Sequence, residues 1–222
     1  MNPNYQTQDD TPPARRSQSE NRKYRRQSLL KAAILTVAKH DIAGATVERI
    51  CAQAGASRGL IAHYFDGKEK LLIAALTEWF DMTLSIKKTI ALDDSLSTEE
   101  KIRAIAHSSY DKPSYTWENA AAWQAFTNAS RYNKTYAKPI RNASKFTNRV
   151  TEHLFRQVAK ERTIKVDSKR AAMGLYILDD GLWNSLATGK DNLTIKMAKE
   201  YCDAYIDAVS YTHLTLPTTS RV

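Results

Sequence analysis

Apolar residues along this chain recur at helical spacing, and no stretch shows the two-residue alternation of a half-buried strand. Leu29, Leu30, Ala33, Ile34 and Val37 make one apolar stripe, which predicts a helix from about Lys23 to His40. Gly44 punctuates the pattern. Thr46 is a good N-cap for a short helix to about Ala54, with Val47, Ile50 and Cys51 facing inward. Gly55-Ala56 makes a tight turn, Ser57 caps a third helix through Tyr64, and Asp66-Gly67 ends it. A long helix follows from Lys68 to about Ile90, with Leu71, Leu72, Ala75, Trp79 and Met82 as its buried positions. After the acidic break at Asp93-Asp94-Ser95, carboxylates at Glu99 and Glu100 mark a new helix start. Further helices are predicted at roughly Thr98–Asp111, Tyr115–Ser130, Lys134–Glu161, Ser168–Thr188 and Leu193–Val209. Pro139 either kinks the Lys134–Glu161 pattern or marks its true start. The fold class is all-α.

Composition agrees with that reading. Among 222 residues there are seven Gly and six Pro, and Pro3, Pro12 and Pro13 sit at the extreme N-terminus, so the interior is poor in helix breakers. Residues 1–21 are polar and read as a disordered arm with a basic end, Arg15 and Arg16 leading toward Arg22, Lys23, Arg25 and Arg26. Either that end is a solvated tail or it touches a polyanion. Residues 211–222 continue no helical period and resemble translated vector sequence, so a non-native tail is expected there. Cys51 and Cys202 have no paired or metal-ligand spacing, which fits two reduced thiols. The polar N-terminus has no apolar signal segment and no long apolar run follows, so a cytoplasmic protein with no membrane partner is expected. The net charge of +9 suits nucleic acid or an anionic membrane surface.

The most informative stretch runs from Thr46 to Leu71, TVERICAQAGASRGLIAHYFDGKEKL. Two short helices joined through a glycine have the geometry of a helix-turn-helix, whose second helix enters the DNA major groove. Ala52 is read as the small residue where the two helices approach. Ile50, Leu60 and Ile61 supply packing, which leaves Ser57, Arg58, Gly59, Ala62 and His63 to face outward, while Tyr64 and Lys68 stand where phosphates would lie. Arg58 is the candidate for guanine readout, because a guanidinium fork matches O6 and N7. His63 reads equally as packing or as a base contact.

Thr46, Ile50, Ala54-Gly55, Ser57, Gly59, Ile61, Tyr64-Phe65, Lys68 and Leu71 together resemble the signature of the TetR family of regulators. Cys51 stands where that family usually has Ala, and Ala56 where Val is common. The resemblance implies a DNA-binding set of Thr46, Ser57, Arg58, Gly59, His63, Tyr64 and Lys68, with Thr46 anchoring a phosphate at a helix N-terminus. It also implies three parts: a three-helix helix-turn-helix domain over 22–67, a ligand-binding and dimerisation domain over 68–210, and a homodimer on double-stranded operator DNA. The last two helices would build the dimer interface; Leu175, Leu178, Leu182 and Leu186, and Ala198, Cys202, Tyr205 and Val209, recur there at helical spacing.

Gly59 to Phe65, Ala122-Trp123-Gln124-Ala125-Phe126 and Asp180-Gly181-Leu182-Trp183 resemble the BetI-type, choline-responsive repressors of betaine synthesis, although Thr127 replaces an expected aromatic. A small-molecule effector, choline or another quaternary ammonium, is what this resemblance implies. Independently, Tyr176, Asp180 and Trp183 fall on one helix face, and aromatic faces with a carboxylate suit a cation that has no N–H to donate. Trp117, Trp123, Phe126, Tyr176, Asp180 and Trp183 are therefore the candidate ligand residues. These aromatics read equally as core, and Asp179 and Asp180 as surface or interface groups. A phosphate loop, a metal-ligand cluster and a nucleophile elbow are all missing from the pattern, so no enzyme, cofactor or metal is expected. A TetR-type regulator of another effector and a non-specific DNA-compacting protein are the alternatives.

Overall fold

The computed structural model describes residues 17–189 and 192–211. Among these residues the chain forms helices α1 (Gln18–Gly44), α2 (Val47–Ala54), α3 (Arg58–Phe65), α4 (Lys68–Ala91), α5 (Thr98–His107), α6 (Trp117–Ser130), α7 (Lys134–Glu161), α8 (Ser168–Thr188) and α9 (Ile195–Tyr211), with no strand. None of them is long and apolar enough to cross a membrane.

α1 opens five residues before the expected Lys23. Ser17 accepts from the Glu20 amide at 3.2 Å while the Glu20 carboxylate accepts from the Ser17 amide at 2.7 Å. This reciprocal cap satisfies two otherwise orphaned donors, so the helix starts there without any apolar stripe. The expected disordered arm over 1–21 is thus helical at 18–21; its first sixteen residues lie outside the described set. At the other end the helical backbone breaks at Asp41, close to the expected stop at His40. Short elements obey their caps. Thr46 accepts from the Arg49 amide at 3.3 Å, and Gly55 takes the left-handed conformation (φ 60°) that closes α2.

α7 runs unbroken through Pro139, so the proline neither starts nor divides it. α5 ends at His107 rather than Asp111, and α6 starts at Trp117 rather than Tyr115 because Thr116 caps it, accepting from the Asn119 amide at 3.1 Å. α9 begins two residues late and extends through Tyr211. That residue belongs to the fold: the Arg162 guanidinium lies 3.8 Å from its ring centre and donates to its hydroxyl at 2.8 Å. The remainder of the suspected tail, 212–222, lies outside the described residues.

α1, α2 and α3 enclose an N-terminal core of Leu29, Leu30, Ala33, Val37, Ile50, Ile61 and Phe65. α4 packs against α1 and α3 as well as against α5 and α7, so one helix is shared by both halves of the molecule. Gln27 on α1 donates to Glu78 on α4 at 2.9 Å, and Arg26 pairs with the same carboxylate at 3.4 Å. α6 lies against α1, and α7, α8 and α9 complete the larger half.

Two packing expectations need correction. Ala52 is exposed, and Cys51 is the small residue buried between the helices. The side chain that matters is the one pointing back toward α1, one position earlier on the helix. The leucine row of α8 and the Ala198, Cys202, Tyr205, Val209 row of α9 face into the chain's own core. What the two helices leave exposed is a different stripe, Met173 and Ile177 on α8 with Met197 and Tyr201 on α9.

Candidate functional site

Two regions carry chemistry. The first is the outer surface of α2 and α3. Ser57, Arg58, Gly59 and His63 are all exposed on it. Ser57 caps α3 without a side-chain hydrogen bond, so its hydroxyl and the first amides of α3 remain directed outward. Nothing inside the chain demands glycine at 59: a Cβ there would meet only the Ser57 hydroxyl oxygen, at 3.9 Å. Arg58 is paired across the turn with Glu48 at 3.1 Å. A backbone hydrogen bond, the Thr46 hydroxyl and the Arg58 charge hold the Glu48 carboxyl below its usual range. His63 stands clear of the core, edge-on to Tyr64 at 5.0 Å.

Tyr64 is half-buried and shares a shallow groove with Arg22 and Arg25 of the extended α1. Lys68 is half-buried and donates to the Ile42 carbonyl at 3.3 Å, which ties the start of α4 to the end of α1. Thr46 accepts in the α2 cap and its hydroxyl also steadies the Glu48 carboxylate.

The second region is a cavity of about 100 Å³ inside the larger half, walled by α4, α6, α7 and α8. Trp79 and Phe80 of α4 stack at 5.4 Å; Trp123 of α6 meets Trp79 at 6.2 Å and Phe80 at 5.9 Å, and Trp183 of α8 lies 6.0 Å from Trp79. Trp183 is pinned by its indole N–H, which donates to the Ser109 carbonyl at 3.1 Å. Asp180 stands beside this aromatic group; burial pushes its carboxyl up from the usual range, opposed by a hydrogen bond from Trp123.

The polar part of the lining is Lys87, Ser109, Thr147 and Asp179, which also line a small extension of the cavity. Ser109 donates to Asp179 Oδ2 at 3.2 Å, whereas Oδ1 is buried without a partner. Burial pushes the Asp179 carboxyl up, countered by the Lys87 charge and by hydrogen bonds from Tyr110 and Ser109, and burial pushes the Lys87 ammonium down, countered by Asp179.

Of the six ligand residues read from the sequence, Trp123, Tyr176, Asp180 and Trp183 line this cavity. The other two do not. Trp117 is 57% exposed at the start of α6, and Phe126 is fully buried in the core, edge-on to Tyr136 at 5.4 Å. The α4 wall of Trp79, Phe80, Thr83, Leu84 and Lys87 was not anticipated as a ligand surface. Its spacing of one, four, five and eight residues is a single helix face, so the signal existed, but Trp79 also reads as an ordinary core position.

An exposed helix-turn-helix joined by a shared helix to an aromatic-lined cavity defines a ligand-controlled DNA-binding regulator. The family model for bacterial regulatory proteins of the tetR family matches residues 29–75. The chain belongs to the TetR family of bacterial transcriptional regulators. Its regulatory half matches the C-terminal model of BetI-type transcriptional repressors over residues 98–210. The chain is 33% identical over 189 residues to the HTH-type transcriptional regulator BetI 2 of Chromohalobacter salexigens, covering 82% of this chain and 87% of that protein. Among solved structures, a transcriptional regulator from Pseudomonas aeruginosa PAO1 superposes with a TM-score of 0.75 at 24% identity, over 85% of this chain and 91% of that one. A regulator from Saccharomonospora viridis in complex with choline gives a TM-score of 0.73 at 16% identity, over 83% and 96%.

Proposed function

We propose that this TetR-family regulator is a homodimeric, cytoplasmic repressor of the BetI type, released from its operator by a quaternary ammonium ligand such as choline. The observation that carries the ligand class is the aromatic group of Trp79, Phe80, Trp123 and Trp183 with Asp180 beside it. A quaternary ammonium has no N–H to donate, so ring faces and a nearby carboxylate are the groups that bind it well. Size agrees: about 100 Å³ suits a ligand of few heavy atoms, comparable with cavities near 150 Å³ that take benzene. The choline complex of the Saccharomonospora viridis regulator points to the same class.

On DNA, Ser57, Arg58, Gly59 and His63 read the groove while Thr46, Tyr64 and Lys68 hold the backbone. Arg58 exchanges its Glu48 partner for a base edge. Both carboxylate and base present acceptors to the same fork, which keeps the guanidinium aimed along α3. Dimerisation uses the exposed stripe of Met173, Ile177, Met197 and Tyr201, which is apolar on two adjacent helices. A large regulatory half with an aromatic-lined cavity argues against a DNA-compacting protein.

Control passes along α4. Lys68, at the operator end, and Trp79, at the cavity, are separated by about 16 Å of helix. A ligand that prefers one setting of Trp79 and Trp123 therefore biases α4, and α6 against α1, toward one spacing of the two recognition helices. The coupling is its differential affinity for the two forms, typically about 1–3 kcal/mol. Fluorescence anisotropy on an operator selected from random duplexes tests this: choline at millimolar concentration is expected to release the protein. Tight DNA binding that is indifferent to choline, with no heat on calorimetric titration, overturns the ligand reading.

A further inference from the structure

The polar part of the cavity lining has a role that the aromatic group does not. We infer that Lys87 and Asp179 read a hydroxyl group on the effector, so that the regulator selects a cationic alcohol over the corresponding alkyl cation and over a zwitterionic carboxylate. This rests on the quaternary ammonium reading above and deepens it.

Asp179 and Lys87 line both the main cavity and a small extension beneath it, in company with Ser109, Thr147 and Tyr176. Oδ2 of Asp179 accepts from Ser109, and the Tyr110 hydroxyl lies close enough to favour the carboxylate; Oδ1 is buried with no partner at hydrogen-bond distance. Among the described residues no hydrogen bond or ion pair occupies the Lys87 ammonium, which is half-buried in the same wall. The cavity therefore presents one unfilled acceptor and one unfilled donor in the same part of its lining. A hydroxyl is the small group that answers both, because it donates one hydrogen bond and accepts others. A carboxylate accepts only: it would pair with Lys87 but leave Asp179 without a donor and beside a like charge. A methyl group answers neither and leaves both protein groups without partners, which is the costly arrangement.

Charge gives a second argument. Lys87, Asp179 and Asp180 are the titratable groups lining the cavity, two carboxyls and one amine, so with all three ionised the site carries one net negative charge. A monocation neutralises it. A zwitterion brings no net charge, and its anionic end would compete with Asp179 for Lys87. The rings and Asp180 thus hold the cationic head of the ligand, and Lys87 with Asp179 holds the oxygen.

The test is calorimetric titration of the full chain with choline, propyltrimethylammonium and glycine betaine. The first two have equal length and differ by hydroxyl against methyl. Choline is expected to bind about ten- to a hundredfold more tightly than propyltrimethylammonium, the usual loss when a buried charged group goes without its hydrogen bond. Glycine betaine is expected to bind more weakly than choline. In Asp179→Asn and in Lys87→Met the preference for choline over propyltrimethylammonium is expected to shrink to within about threefold. Equal binding of the two cations by the parent chain overturns the hydroxyl assignment and leaves the aromatic site standing. A preference that survives in both variants likewise overturns it. Absence of binding by all three ligands sinks both readings together. The comparison of ligands on the parent chain needs no variant, so misfolding of a substituted protein cannot decide the matter.

Discussion

Replacing Trp123 by leucine separates the ligand role of the cavity from its structural role. Trp123 is only partly buried, and its ring makes two edge contacts, with Trp79 at 6.2 Å and with Phe80 at 5.9 Å. Such contacts contribute about 0.5–1.5 kcal/mol each, and leucine keeps part of the apolar burial. The expected cost in stability is therefore about 1–3 kcal/mol, or a fall in Tm of roughly 2–12 °C for a chain of this size. Binding suffers differently. A cation over a desolvated ring gains about 2 kcal/mol, so the Kd for choline is expected to rise about thirtyfold. Asp180 also loses the indole hydrogen bond that favours its charged form, which acts in the same direction. The assay is calorimetric titration at 25 °C with choline and with 3,3-dimethylbutan-1-ol, its neutral isostere, alongside a thermal melt. The neutral alcohol is expected to bind poorly to the parent and to be little affected by the substitution. Choline binding within twofold of the parent would refute the reasoning, as would a neutral isostere that binds as tightly as choline.

Other expectations follow from the same geometry. Lys68→Ala should weaken binding to all DNA sequences alike and lower the salt slope by about 0.9, whereas Arg58→Ala should cost about 1–3 kcal/mol at one base position; identical sequence-independent losses would remove Arg58 from base readout. Ile177→Lys, on the exposed apolar stripe of α8, should convert the protein to a monomer in sedimentation at micromolar concentration, and an unchanged dimer would place the interface elsewhere. Gly174 is the point where α8 meets α9: a Cβ there would lie 2.1 Å from the Tyr205 hydroxyl, which donates to the Ala171 carbonyl at 3.0 Å. Gly174→Ala should lower Tm although alanine favours a helix by about 1 kcal/mol, and a raised Tm would mean that Tyr205 swings aside at no cost.

Much of this architecture is local and therefore legible in one dimension. Helix bounds at Lys134–Glu161 and Ser168–Thr188 coincide with the periodic pattern, because periodicity and caps act within a few residues. The helix-turn-helix is legible for the same reason: Thr46 and Gly55 shape backbone within their own turns. A stripe alone is a poorer guide to where a helix begins, as at Ser17 and Glu20, where a reciprocal cap starts α1 in a wholly polar stretch.

The cavity is a different matter. Tyr176, Asp180 and Trp183 share one face of α8 and all three reach it, since phase along a single helix is a local property. Across helices the sequence has no such rule. Trp117 and Trp123 are six residues apart, about 240° around α6, so only one of them can face inward toward the cavity. Trp123 and Phe126 are only about 60° apart, yet Tyr136 of α7 claims Phe126 for the core. Trp79, Phe80 and Lys87 join the site because α4 shares the cavity wall with α6 and α8, at a sequence distance of about forty to a hundred residues. Sequence alone determined the family, the helices and the outward face of α3. Which aromatic rings meet around a ligand, and which charges face it, was decided by helix crossings that depend on every packed side chain at once.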